Sequence, residues 1–271
     1  MHAWISRARI WAIFVWMLVT VPLFMVPCLF LLPWRTLRIR VGNAYGKFLG
    51  KSAAILLGTK VVVDRPGAIE AQKPAIYLMN HSSALDIFIG MWHCPWGGCG
   101  VAKREMARIP LFGQLYRLTG HLLIDRGNRD KAIQRMNDTT AFMQEHGISC
   151  WIWPEGTRSR SGKLGPFKKG FVHMALATRL PIVPIVAHNA TERWPMGPWR
   201  IHPGTLHISV LDPIPTDDWS ADTMQKHLDD MSEVFLGALP DRWRPDPEPG
   251  ETLPDTDGHS RTDTPGQSPP A

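Results

Sequence analysis

Charge is missing from the 25 positions between Ile10 and Trp34. As a straight helix such a stretch runs about 37 Å, enough to cross the hydrocarbon layer of a bilayer. The short apolar core and small-residue cleavage site of a secretory signal peptide are missing as well. Cysteine is scarce, with Cys28, Cys94, Cys99 and Cys150 the only four. Cys94 and Cys99 lie near His93, but no fourth ligand and no short Cys spacing accompany them, so no metal site is expected and reduced thiols are. A nucleophile elbow and a metal cluster are both absent, which weighs against a membrane-bound lipid hydrolase. No recognised nucleic-acid motif and no internal repeat can be found, and the apolar N-terminal run makes lipid a better partner for a basic chain than nucleic acid.

Acidic residues are few except at the C-terminal end. From Pro245 to Ala271 one arginine faces six Asp and Glu, so this tail carries −5 and the rest of the chain +11, against a total of +6. The tail is rich in proline and shows no apolar period, which predicts disorder. The basic body suits an anionic surface or a phosphorylated substrate. Arg7 and Arg9 precede the uncharged run, and Arg35, Arg38 and Arg40 follow it, so basic flanks on both sides give no orientation for a simple span. Pro22 and Pro27 are expected to interrupt a helix there, permitting a segment that enters and leaves one leaflet as an alternative to a kinked span. A second helix is expected from Arg40 to Leu57, with Val41, Ala44, Tyr45, Phe48 and Leu49 at helical spacing and Lys47 and Lys51 available to headgroups. An ordinary core helix has the same periodicity.

The first stretch with chemistry in it is Asn80-His81-Ser82-Ser83-Ala84-Leu85-Asp86. It follows the apolar run Ala75–Met79, which reads as a buried strand. The serines are candidate N-caps for a short helix from Ala84 to Trp92. An imidazole at a strand end and a carboxylate one turn into the next helix can meet, the carboxylate fixing the tautomer and turning the other ring nitrogen to a substrate proton. Alternatively, Asp86 serves the helix N-terminus and His81 is a turn residue. The second stretch, Trp153-Pro154-Glu155-Gly156-Thr157-Arg158-Ser159, also follows an apolar run and ends with a guanidinium suited to a phosphate.

These stretches resemble the 1-acylglycerol-3-phosphate acyltransferase (lysophosphatidic acid acyltransferase) family of membrane glycerolipid acyltransferases. Four blocks match in the family's order: Asn80-His81 with Asp86; Gly120–Arg126; Pro154–Ser159; and Leu180–Ile185. Lys103-Arg104-Glu105 leading to Pro110 and Gly113, and Phe167–Gly170, also fit. The resemblance covers roughly Val61 to Val210, and Trp153 departs from the phenylalanine common before Pro-Glu-Gly. It implies an α/β fold with a mixed sheet flanked by helices and an N-terminal hydrophobic helical membrane anchor. The expected divisions are anchoring helices at 1–58, a catalytic domain at 59–244 and a disordered acidic tail at 245–271.

The implied activity is transfer of a fatty acyl group from an acyl-CoA or acyl carrier protein thioester to a lysophospholipid hydroxyl, giving phosphatidic acid at a membrane, with the active site facing the cytoplasm. An activated thioester needs no nucleophilic Ser or Cys and no cofactor. His81 is the candidate base and Asp86 its orienting partner. Glu155, Gly156, Thr157 and Arg158 are the candidate acceptor site, with Glu155 either ordering the loop or touching the acceptor glycerol. Arg126 and Lys103 are further candidates for the anionic headgroup; a salt bridge and a solvated surface are their respective alternatives. By resemblance, Leu180–Ile185 helps to shape an acyl pocket. A lyso-ornithine lipid acceptor and a non-catalytic lipid-binding protein remain the competing functions.

Overall fold

The computed structural model describes residues 3–124, 129–197 and 199–245. The chain runs α1 (Ala3–Phe30), α2 (Arg35–Leu57), β1 (Thr59–Val63), α3 (Pro66–Ala71), β2 (Ile76–Met79), α4 (Leu85–His93) and β3 (Cys99–Lys103). It continues through a 3-10 turn (Arg104–Arg108), α5 (Phe112–Leu118), β4 (Leu122–Ile124), α6 (Arg129–His146), β5 (Cys150–Ile152), α7 (Gly170–Thr178) and β6 (Ile182–Ala187). It closes with α8 (Ala190–Arg193), β7 (Gly204–Val210), α9 (Met224–Ala238) and a second 3-10 turn (Asp241–Trp243). Asp125, Arg126 and Asn128, the last expected to cap α6, lie outside the described residues, as does 246–271.

The seven strands form one mixed sheet in the order β1-β7-β6-β2-β5-β3-β4, with β7 antiparallel to β6 and the other pairs parallel. The fold class expected from the sequence is the one observed. β2 lies at the centre and is buried on both faces. Ile76 and Leu78 join the core under α6, α7 and α9, while Ala75, Tyr77 and Met79 join the core under α1, α2 and α4. Such two-sided burial is why this strand reads as a continuous apolar run.

Proline is placed differently in β6 and in α1. A strand with two prolines is confined to an edge or an irregular position, and β6, which sits between β7 and β2, is of the irregular kind. Between the Ile182–Ile214 bridge and the Ile185–Val210 pair, β6 advances three residues while its partner advances four. Pro184 therefore falls opposite a bulge, where a ladder donor is not needed, and its carbonyl still accepts the Leu211 N–H. In α1 the helix runs unbroken through Pro22 and Pro27. Its buried positions, Ser6, Ile10, Ile13, Thr20, Val21 and Cys28, recur at helical spacing on one side, and Pro22 lies on the exposed side with Trp11, Val15 and Leu18.

α2 starts at Arg35, five residues earlier than its amphipathic pattern suggested, because Arg35 and Arg38 are engaged rather than solvated. Their guanidinium groups donate to the carbonyls of Gly120 and Leu118, tying α2 to the turn before β4. Gly58 ends α2 in the left-handed conformation at φ 71°, its N–H returning to Ala54 and Ile55 carbonyls. α1 docks along α2 through Trp16 Nε1–H donating to Ser52 Oγ, the Thr20–Tyr45 hydroxyl pair and the Phe24–Tyr45 ring contact. Its first turns are tied to the rest of the chain by Ser6, bonded to Ile201 N–H and C=O, and by Arg9, which donates to the Leu57 carbonyl.

Close packing of α2 on α4 depends on glycine. A Cβ at Gly50 would collide with the Phe88 carbonyl and lie 2.7 Å from Trp92 Cβ, and one at Gly46 would lie 3.1 Å from the Met91 carbonyl. Gly50→Ala is expected to force the helices apart, at about 1–3 kcal/mol for overpacking a closed interface. Thermal unfolding in detergent should register this as a lower midpoint. Gly67→Ala, where a Cβ meets nothing within 4 Å, serves as control; equal midpoints for both variants would mean that the helix contact yields freely.

Candidate active site

The end of β2 is held by Asn80. Its side-chain amide donates to the Ala187 carbonyl at 3.1 Å and its Oδ1 accepts the Ala187 N–H at 2.8 Å, so one side chain extends the ladder to β6. His81 then leaves the sheet, and the chain turns into α4 within four residues. Asp86 in the first turn of α4 comes back beneath the imidazole, Oδ2 lying 3.1 Å from His81 Nδ1. The same oxygen accepts the N–H groups of Ser82 and Ser83, each at 2.7 Å. Asp86 is wholly buried in the first turn of α4, and Oδ2 meets these three N–H groups there. A carboxylate can only accept, so Nδ1 carries the proton and Nε2 presents a lone pair. The position before α4 is Ala84, not a serine; Ser83 Oγ instead accepts the Leu85 N–H and donates to the Trp194 carbonyl.

The second loop grips the first through the backbone. Glu155 Oε1 accepts the His81 N–H at 2.9 Å, and Ser159 N–H donates to the His81 carbonyl at 3.0 Å. Glu155 is buried, so of the two uses weighed for it the structure displays the loop-ordering contact. Burial first, and the nearby Asp86 charge second, push its carboxyl up from 4.5 to about 7, against the pull of two backbone N–H groups. Gly156 turns the chain at φ 70°. The Trp153 ring stacks on the His81 imidazole, with centroids 5.0 Å apart and planes at 28°.

His81, Lys103, Gly156, Thr157 and Arg158 line one cavity of about 740 Å³, and Asp86 lies behind His81. Arg126 falls outside the described residues. Beyond this polar group the walls turn apolar, with Ile87, Met91, Val101, Phe112, Leu115 and Phe171. Strand register gives the depth. Gly100 on the cavity wall pairs with Trp151, whose neighbour in β2 is Tyr77, four residues before His81. At about 3.3 Å per residue the cavity reaches roughly 13 Å down the strands. His121 stands at that depth, its Nδ1 accepting the Gly100 N–H at 3.0 Å. Burial lowers His121 to about 4 and so keeps it neutral at pH 7. The Leu180–Ile185 block does not line this cavity; its β6 residues fill the two cores of the sheet. Sequence reasoning missed the wall that α2 supplies through Gly42, Asn43, Tyr45 and Gly46. The signal was present in the spacing of Gly42, Gly46 and Gly50, small residues one helical turn apart that mark a close approach. Lys168, from the Phe167–Gly170 stretch, also stands on the cavity wall.

A family model described as Acyltransferase matches residues 60–188. The chain is 39% identical over 241 residues to the 1-acyl-sn-glycerol-3-phosphate acyltransferase of Limnanthes douglasii, covering 89% of this chain and 85% of that one. It is 35% identical over 182 residues to the enzyme of the same name from Escherichia coli K12, covering 67% and 73%. Among solved structures it superposes on the crystal structure of the 1-acyl-sn-glycerophosphate (LPA) acyltransferase PlsC from Thermotoga maritima, with a TM-score of 0.70 at 21% identity over 86% of this chain and 94% of that one.

The raised Glu155 carboxyl has a consequence for stability. The folded chain holds this proton up to about pH 7, while the unfolded chain releases it near 4.5. Stability from this group therefore falls as pH rises from 4.5 to 7 and is level above. His93 and His121, both lowered by burial to about 4 from 6.5, act with the opposite sign, their stability being lost as pH falls through that window. Glu155→Gln keeps an acceptor for the His81 N–H and removes only the carboxyl titration. Denaturant unfolding at pH 5 and pH 7 should show a more negative pH slope for the native chain than for the variant. Identical slopes would show that Glu155 titrates normally.

Proposed function

Because the chain belongs to the 1-acyl-sn-glycerol-3-phosphate acyltransferase family, we propose that it acylates lysophosphatidic acid to phosphatidic acid with an acyl-CoA or acyl carrier protein thioester as donor. The observation that carries this reading is the His81 Nδ1–Asp86 Oδ2 contact of 3.1 Å beside a cavity with a basic mouth and an apolar depth. His81 Nε2 takes the proton of the acceptor hydroxyl as that oxygen attacks the thioester carbonyl. Asp86 stabilises the imidazolium so formed. Collapse of the tetrahedral intermediate breaks the C–S bond, and the imidazolium returns its proton to the departing thiolate. Arg158, with Gly156 and Thr157 shaping its loop and Lys103 lining the same cavity, holds the acceptor phosphate by charge-assisted hydrogen bonds. Arg126 is assigned to the same phosphate from its place in the matching motif. The acyl chain lies along the apolar walls, and none of these steps requires a metal or a redox cofactor.

We further propose that α1 lies in one leaflet rather than across the bilayer, with the site facing the cytoplasm and anionic lipid beneath it. One side of α1 is packed on the protein along its length, and the other exposes Trp4, Trp11, Val15, Leu18, Leu29 and Phe30. Its antiparallel partner α2 carries Arg35, Arg38, Arg40, Lys47 and Lys51, charges that are costly in a bilayer interior. In this reading residues 1–58 anchor, with α2 also walling the cavity, 59–244 carry the catalytic residues and the acidic tail from 245 does neither.

Membranes containing the chain, labelled acyl-CoA and a panel of lysolipids test the activity. His81→Ala is expected to reduce transfer to lysophosphatidic acid by roughly 10²–10⁴-fold, the usual range for general-base assistance. Asp86→Asn should be comparably severe, and the double variant little worse than His81→Ala alone, since both residues serve one proton transfer. Release of free fatty acid instead of transfer would identify a hydrolase, binding without turnover a lipid carrier, and preference for lyso-ornithine lipid a different acceptor. Full transfer by His81→Ala would sink the mechanism.

Topology is read by labelling Arg7→Cys and Arg40→Cys in sealed vesicles, the native cysteines being buried. Both should react with an impermeant maleimide from the cytoplasmic side. Labelling from opposite sides would establish a span.

A further inference from the structure

The loop that carries Arg158 is held from a part of the chain far beyond the matching family region. Ser159 is fixed to the His81 carbonyl, and five residues later the Leu164 N–H donates to the Trp243 carbonyl at 2.9 Å. The arc between these points passes through Gly162, at φ 84°, where a Cβ would lie 2.7 Å from Trp243 Cζ3 and 3.0 Å from Thr191 Cγ2. The Trp243 ring thus occupies the space that any side chain at Gly162 would need, and its inner edge packs on the core that holds Leu164 and Phe235. The turn is fastened outside by Arg242, whose Nη2 lies 2.6 Å from Glu192 Oε1. Thr191, beside Glu192, donates through Oγ1 to the Ser82 carbonyl at 3.3 Å. Both loops of the site are therefore joined to one C-terminal turn.

We propose that Trp243 is a positioning residue for acceptor recognition, the Asp241–Trp243 turn holding the Ser159–Leu164 arc so that Arg158 meets the phosphate of a phosphorylated lysolipid. This rests on the reading of Arg158 as the phosphate contact. A loop of glycine, serine and basic residues has many conformations, and like charges at Arg158, Arg160 and Lys163 favour spreading rather than convergence. Two pins on its backbone and a ring in its concavity remove that freedom before the acceptor arrives, so the ordering does not reduce binding.

The test compares steady-state kinetics and thermal midpoints of purified Trp243→Ala, Trp243→Phe and Arg158→Ala with lysophosphatidic acid and acyl-CoA. Trp243→Ala is expected to raise the acceptor KM roughly tenfold, equivalent to about 1.4 kcal/mol, with kcat and the acyl-CoA KM within about twofold of native. Trp243→Phe should recover most of the acceptor KM. Arg158→Ala should raise the same constant, and Trp243→Ala should add little to it in the double variant. Should Trp243→Ala fail to fold, Arg242→Ala breaks the exposed pair on the same turn and is expected to raise the acceptor KM about twofold, the scale of a surface ion pair. Removing 246–271, which spares the turn, should move neither KM. An unchanged acceptor KM in a folded Trp243→Ala, with Arg158→Ala impaired, overturns the positioning role. An unchanged acceptor KM in Arg158→Ala overturns the phosphate reading beneath it.

Discussion

A single buried oxygen, Asp86 Oδ2, organises the site. It accepts three N–H groups, from Ser82, Ser83 and the His81 ring, and no water reaches it. An ionised carboxylate in such a place is tolerable only when its donors are present. The turn from β2 into α4 supplies two of them from backbone, and the imidazole supplies the third. The geometry of the turn, the start of the helix and the orientation of the proposed base are thus one condition met at one atom. Replacing Asp86 would leave two buried backbone donors facing a weaker acceptor, so the turn and the proposed base respond together.

The adjacency of β2 and β5 in the sheet brings the second loop to this turn. Glu155 and Ser159 bind opposite sides of the His81 peptide backbone, from residues 74 and 78 positions later in the chain. Neighbouring parallel strands end at the same side of a sheet, which is where α/β folds place their ligands. The rigidity of His81 is therefore a property of sheet order. It would not survive an insertion between the two strands, however well each motif were kept.

What could be read from the sequence was whatever depends on near neighbours in the chain. Apolar runs located β2 and β5, and the spacing of His81 and Asp86 allowed a contact within one turn. Reading failed where a distant partner changes the meaning of a residue. Pro184 leaves an edge and an irregular strand equally open, and only the bulge across the sheet decides between them. Arg35 and Arg38 looked like flanking charges and are helix residues bonded to carbonyls 80 positions and more away. Trp243 lies near a tail of low complexity and contacts Gly162, a pairing that no local pattern announces. The depth of the cavity escaped for the same reason, since its walls come from α2, α4, α5, α6, α7, β3 and β5 and the loops between them.

The wall supplied by α2 has a further implication. This helix belongs to the N-terminal pair that is the candidate membrane anchor, yet Gly42, Asn43, Tyr45 and Gly46 face the cavity, and Ile39 belongs to the central core. Anchor and pocket are not exchangeable modules. A chimera that borrowed the first 58 residues of a relative would import a foreign cavity wall with them, and recombination at that boundary would be selected against. Adaptation to a new lipid environment and adaptation to a new fatty acid must then be negotiated through the same 23 residues, and drift in one trait constrains drift in the other.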